Sequence, residues 1–278
     1  MNFRRIAIVG LGMMGGSLAA ACRKRFPQAA ILGVSRDPQA LRTAVRKRWI
    51  SAGTRDLRVG ISHADLVVLC TPVDVLPEYL RKLDRWARPG TLVTDLGSVK
   101  SPLLKQIRKK KWKRIRFVSA HPMVGSHIRG LEAASSGIFE KGYCFLIREK
   151  GCDPRAFRAV RGFWKKIAGE VRETSVLRHD RLTAEISHLP HLTAVALMRA
   201  VDQRSLPFGA SGFRDTTRVA QGHPSIWAPI LLGNRRALLA LLRALGSELR
   251  RLGGVLRAGD RRRLERILRE TAGRRGQI

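Results

Sequence analysis

The stretch RIAIVGLGMMGGSLAAACRKR, Arg5–Arg25, decides the fold. Its first five residues are apolar and β-prone from Ile6 to Val9. Its last nine, from Ser17, are an Ala-rich helical pattern. Between them lies GxGxxG, formed by Gly10, Gly12 and Gly15. The glycines have separate physical tasks. Gly10 permits the tight turn out of the strand, Gly12 lets backbone approach a pyrophosphate, and Gly15 lets helix and strand pack closely. The following helix then offers free N–H groups and a positive dipole end to an anion. A dinucleotide site over Gly10, Leu11, Gly12, Met13, Met14 and Gly15 is the expectation.

Outward from this turn, β-rich runs alternate with helical patterns. The strand candidates are Arg5–Val9, Ala30–Ser35, Leu66–Cys70, Leu92–Asp95, Phe117–Ala120 and Cys144–Ile147. Helical patterns at Ser17–Arg25, Pro38–Arg48 and Val75–Arg85 separate several of them. Such alternation implies βαβ units and a mainly parallel sheet. Asp153-Pro154 reads as an N-cap and first helical residue of a helix to about Ala168. A short strand at Glu170–Thr174 closes the sheet. Beyond it Leu177–Val201, Ser225–Leu252 and Asp260–Glu270 are helical in pattern. The fold class is therefore α/β: a Rossmann-like domain over residues 1–174, then an all-α domain over 175–278.

In the sheet of such folds, ligands bind at the carboxyl edge. That edge includes Cys70, Thr71 and Pro72 after the strand DLVVLC, a second cofactor contact. The acid that usually holds ribose hydroxyls is expected about 20 residues beyond Gly15. Ser35 stands there, in ILGVSRDP. Asp37, two residues on, precedes Pro38 and reads as a helix N-cap. A serine hydroxyl can donate to a 2′-phosphate that a carboxylate would repel, and Arg36 can pair with it or stack on adenine. The cofactor expectation is NADP in preference to NAD.

The chain has 278 residues, 54 of them basic and 21 acidic, for a net charge of +33. Such a field attracts polyanions, and RKKKWKRIR at Arg108–Arg116 invites a nucleic-acid reading. The basic residues are spread over nearly the whole chain, however, and aromatic residues are only 6%, so stacking platforms are scarce. Specific nucleic-acid binding is not expected. No apolar run approaches the ~20 residues that span a bilayer, and the N-terminus lacks a signal-peptide cleavage pattern, which points to the cytoplasm. The four cysteines are scattered, with no CxxC spacing, so neither a metal site nor a disulfide framework is expected.

Several polar stretches need explaining: DLGSVK (Asp95–Lys100), HPMVGSH (His121–His127), SHLPH (Ser187–His191) and GFRDTTR (Gly212–Arg218). With GLGMMGGS and CTPV these resemble, in order and spacing, the prephenate/arogenate dehydrogenases of tyrosine biosynthesis. The resemblance spans essentially the whole chain. It implies a Rossmann domain followed by a helical domain that forms a homodimer. It also implies oxidative decarboxylation of a cyclohexadienol, with hydride passing to the nicotinamide and aromatisation supplying most of the driving force.

The resemblance makes His121 the acceptor of the ring hydroxyl's proton, a task suited to a group with an ordinary pKa near 6.5. Ser98 would orient that histidine or the hydroxyl. Arg218 would bind the substrate carboxylate, with Asp215 holding it. Ser187 and His191 would be substrate-side residues, with His188 the alternative to His191. Trp227 either walls the pocket or packs in the core. His127 and His191 together favour prephenate over arogenate. His63, His179 and His223 belong to no motif and are expected to be ordinary. The β-hydroxyacid dehydrogenases share the opening turn but use a helical lysine, where this chain has SHLPH and GFRDTTR. With no regulatory domain expected after the helical half, any tyrosine feedback would act at the active site.

Overall fold

The computed structural model describes residues 3–124, 130–149 and 151–277. It contains two compact units, which divide at Asn234 and Arg235. In the first, a six-stranded parallel sheet comprises β1 (Arg5–Val9), β2 (Ala30–Val34), β3 (Ala52–Thr54), β4 (Leu66–Leu69), β5 (Thr91–Asp95) and β6 (Ile115–Phe117). The strand order is β3-β2-β1-β4-β5-β6, so the direction of winding reverses between β1 and β4. The crossovers are α1 (Met13–Arg25), α2 (Pro38–Arg46), α3 (Leu57–Ile61), α4 (Leu76–Trp86) and α5 (Ser101–Ile107).

The strands are apolar on both faces because helices cover both faces. Ile6 and Ile8 of β1, with Leu66 and Val68 of β4, enter one core with Leu18, Phe163 and Trp164. Their alternates, Ala7, Val9, Val67 and Leu69, enter the other with Leu76, Leu80 and Leu83. This is the period of two expected of a strand buried on both sides.

The expected strand Phe117–Ala120 is two strands. β6 ends at Phe117, and β7 (Ala120–Pro122) joins a second sheet with β8 (Tyr143–Ile147) and β9 (Glu170–Thr174). The break has a local cause. The Asp95 carboxylate accepts from Ser119 Oγ at 2.8 Å and from Ala120 N at 3.0 Å, which draws the chain out of the first sheet. β9 therefore closes this smaller sheet, parallel to β8, and not the main one. Between β8 and β9 runs α6 (Pro154–Ile167), capped by Asp153 as its sequence indicated.

The helical half of the first unit contains α7 (Val176–Thr183), a π turn at Ala184–His188, α8 (Leu189–Ala200), α9 (Ser211–Thr217) and α10 (Pro224–Gly233). A single helix was expected over Leu177–Val201, and the π turn interrupts it. Single π turns recur at functional sites. The second unit is α11 (Arg235–Arg257) and α12 (Arg261–Arg275). No helix among the described residues is long and apolar enough to cross a membrane.

Candidate active site

The glycine turn opens between β1 and α1, on the carboxyl edge of the sheet at the reversal of winding. Gly10 has φ +96°, and a Cβ there would sit 2.8 Å from Cys70 O. A Cβ on Gly15 would lie 1.8 Å from Gly10 O, so only hydrogen fits. Gly12 differs: a Cβ there meets nothing within 4 Å. Its space is open, as backbone approached by a ligand requires. Gly12 is also the N-cap of α1, without a side-chain cap and with no acid in the first turn. Thr71, whose Cγ2 would lie 3.4 Å from a Cβ on Gly10, has its Oγ1 buried without a hydrogen-bond partner among the described residues. An anion-binding helix terminus next to an orphaned hydroxyl fits a pyrophosphate and its ribose.

At the end of β2, Asp37 caps α2, accepting from Gln39 N at 2.8 Å and Ala40 N at 3.3 Å. Both bonds fall on Oδ1. Ser35 Oγ accepts from Asp37 N at 3.2 Å, which leaves its own hydrogen free to donate. Arg36 is exposed next to it.

The second half of the site begins at Asp95, the last residue of β5. Its Oδ2 accepts from Gly97 N at 2.9 Å and from Lys100 Nζ at 2.7 Å. Lys100 Nζ also donates to Ala120 O at 2.6 Å. Both charged side chains are fully buried. DLGSVK thus supplies a buried brace joining β5, α5 and β7, and the braced carbonyl belongs to the residue before His121.

His121 is 7% exposed. Its Nδ1 lies 2.9 Å from Nε2 of His179, and His179 Nδ1 lies 2.8 Å from Asp180 Oδ1. The backbone N–H groups of Lys100 and Ser101 donate to the two Asp180 oxygens at 2.9 and 2.7 Å. Asn234 Nδ2 donates to Asp180 O at 2.7 Å and lies 3.1 Å from His188 Nδ1. His191 stacks on Trp227, with ring centroids 3.7 Å apart and 9° between planes, and His188 meets the same indole edge-on. Four buried histidines therefore form one continuous cluster.

Burial holds His121 well below its ordinary pKa, reinforced by His179, Lys100 and His188. Burial likewise lowers His179, against the opposing pull of Asp180. His188 is lowered by burial to about 4. Burial would raise Asp180, but the hydrogen bonds from His179, Ser101 and Lys100 prevail and its carboxyl stays below the ordinary value. The cluster is thus a set of neutral imidazoles beside an ionised carboxylate, suited to accepting one proton.

The other expected site residues are distributed unevenly. Ser98 is half-buried in the loop after β5 and has no hydrogen-bond partner among the described residues. His191 is buried, and its Nδ1 has no hydrogen-bond partner among the described residues. Ser187 is half-buried on the π turn. Arg218 and Asp215 are both exposed, on the 3-10 turn Arg218–Gln221 and on α9, and no ion pair joins them among the described residues. Trp227 is half-buried against His191. His127 lies outside the described residues. His179 was expected to be ordinary, and it stands instead between His121 and Asp180, a residue not singled out in the sequence. Their sequence, RHDRLT, carries no motif, and the contact to His121 spans 58 positions.

Two profiles match the chain in tandem: prephenate dehydrogenase, nucleotide-binding domain, over residues 18–173, and prephenate dehydrogenase, dimerization domain, over residues 175–270. The chain belongs to the prephenate dehydrogenase family. It is a nicotinamide-dependent dehydrogenase, an oxidoreductase of aromatic amino acid biosynthesis. The prephenate dehydrogenase of Lactococcus lactis is 28% identical over 275 residues, covering 96% of this chain and 75% of its own. The cyclohexadienyl dehydrogenase of Zymomonas mobilis is 30% identical over 268 residues, covering 93% and 90%. The crystal structure of Aquifex aeolicus prephenate dehydrogenase, in complex with hydroxyphenyl propionate and NAD+, superposes with a TM-score of 0.90. That match is 29% identical and covers 100% of this chain and 99% of the other.

Proposed function

We propose that the protein is a prephenate dehydrogenase that converts prephenate to 4-hydroxyphenylpyruvate, with NADP preferred over NAD. The observation that carries the reading is His121, a buried neutral imidazole. It is braced through Ala120 O by Lys100, which pairs with Asp95 at the carboxyl end of β5, and the carboxyl end of β1 in the same sheet carries a glycine turn open to a pyrophosphate. The cofactor, when bound, accepts the hydride. His121 accepts the proton of the ring hydroxyl as that oxygen becomes carbonyl-like, and burial keeps it unprotonated and ready at neutral pH. His191, with an unpartnered Nδ1, and the exposed guanidinium of Arg218 take the substrate's polar groups, the latter a carboxylate. Ser187, Asp215, Trp227, His127 and Ser98 complete the substrate side. Aromatisation favours loss of carbon dioxide, so orientation is the main remaining task.

NADP preference is supported by Ser35, whose hydroxyl hydrogen is free, by exposed Arg36, and by the use of Asp37 Oδ1 as a helix cap. Residues 1–174 hold the cofactor, and the rest serves substrate and assembly. Homodimer formation is supported by α11. Leu242, Leu245, Leu249, Leu252 and Leu256 recur there every three or four residues, and Leu249 and Leu256 are 61% and 66% exposed. Such a stripe seeks a partner helix. The cytoplasm is the compartment that fits.

The test is a steady-state assay of prephenate and arogenate, each with NAD and with NADP. The fastest turnover is expected with prephenate and NADP. No turnover in any combination refutes the enzyme reading, and a KM for NAD at or below that for NADP refutes the cofactor preference.

A further inference from the structure

We infer that His179 and Asp180 are positioning residues that fix the tautomer of His121 and so present its Nε2 as the proton acceptor. The inference rests on His121 being the proton acceptor of the reaction proposed above.

The hydrogen bonds leave one consistent arrangement. Asp180 accepts the Lys100 and Ser101 amides on its two oxygens, and its pKa is held low, so it is an acceptor only. Of the two atoms in the 2.8 Å contact with Asp180 Oδ1, His179 Nδ1 must therefore carry the proton. His179 is kept neutral by burial, so its Nε2 is left with a lone pair. That lone pair faces His121 Nδ1 at 2.9 Å, so His121 Nδ1 must be the donor. His121 is neutral too, and its Nε2 is left as the basic atom.

The opposite tautomer would set two lone pairs against each other at 2.9 Å in a buried site. Both buried nitrogens would then be left without a hydrogen-bond partner, which disfavours that tautomer. The chain of bonds also acts once a proton has been taken up. An imidazolium at His121 donates to His179, whose other nitrogen donates to the Asp180 carboxylate. The negative charge thereby offsets part of the desolvation of the new cation. The logic is that of a carboxylate orienting a catalytic histidine, with one extra imidazole inserted.

Among the described residues, the charged or titratable groups around His121 are Asp95 and Lys100 from the β5–α5 segment, His179 and Asp180 from α7, His188 from the π turn, and Cys144 from β8. Among them His179 is the one that holds a ring nitrogen of His121.

The test is ¹⁵N NMR of the histidine-labelled wild-type protein. Resonances are assigned with His121→Asn and His179→Gln. Both rings are expected as the Nδ1–H tautomer in the neutral range. A proton on Nε2 of either ring overturns the inference. This readout needs no substrate, so it stays informative even if the assays above show no turnover.

Kinetics provide the second arm. His179→Ala is expected to lower kcat by about 10²-fold or more with KM within about threefold. His179→Gln, whose amide oxygen can occupy the place of Nε2, is expected to recover at least about tenfold of that loss. A kcat for His179→Ala within about threefold of wild type, or a glutamine variant no better than alanine, overturns the inference.

Discussion

Lys100→Met removes one partner of a buried ion pair while keeping the length of the side chain. Two losses follow from the geometry. The Asp95 carboxylate, fully buried, loses its one ion-pair partner among the described residues, although it keeps Gly97 N, Ser119 Oγ and Ala120 N as donors. Ala120 O loses a 2.6 Å bond at the same time. Breaking a buried pair from one side costs about 3–5 kcal/mol. For a chain of this size that is a fall in Tm of roughly 6–20 °C.

The companion variant is Asp95→Asn/Lys100→Met. It removes both charges but keeps an oxygen for Ser119 and Ala120. It is expected to regain at least about 1 kcal/mol over the single change. Urea unfolding of the three proteins, followed by circular dichroism, measures both differences. A single-variant cost below about 1 kcal/mol, or a double variant no more stable than the single, would refute the view that this pair braces the site.

Gly12→Ala should fold with a wild-type Tm, because nothing lies within 4 Å of the added methyl, yet raise the cofactor KM by about tenfold or more; Gly15→Ala, blocked by Gly10 O, should lose stability as well. A low Tm for Gly12→Ala would contradict the first. Stability should fall as pH drops from about 6.5 toward 4. The folded-state pKa values of His188, His179 and His121 are depressed, so the unfolded chain binds protons first and their contribution is lost through that window. His188 alone is worth about 3 kcal/mol there, and a flat urea midpoint between pH 7 and 4 would contradict it. Leu249→Asp with Leu256→Asp should leave a monomer in sedimentation equilibrium, whereas an unchanged dimer would remove α11 from the interface.

Much of the fold was legible because it rests on local rules. The turn at Gly10–Gly15, the caps at Asp37 and Asp153 and the apolar strand runs each follow from a few adjacent residues. β3 and α3 were not, being three and five residues long, too short for a period to show. The division of Phe117–Ala120 depends on Asp95, more than 20 positions away, and no strand pattern records it. The same holds for the site. His121 stood in a motif. His179 acts only through a contact across 58 positions, and Lys100 lay within a recognised motif without its role as a buried brace being visible. Burial and tertiary hydrogen bonds define those roles, and neither is a property of spacing.

The proposed role of His121, taking the proton while hydride leaves the ring, is tested by the kcat of His121→Asn with prephenate and NADP, measured beside wild type as reduced cofactor formed. Asparagine is similar in size and cannot accept the proton. A fall in kcat of about 10²-fold or more with KM little changed is expected. A wild-type kcat with only KM raised would show that His121 merely binds and is not the proton acceptor.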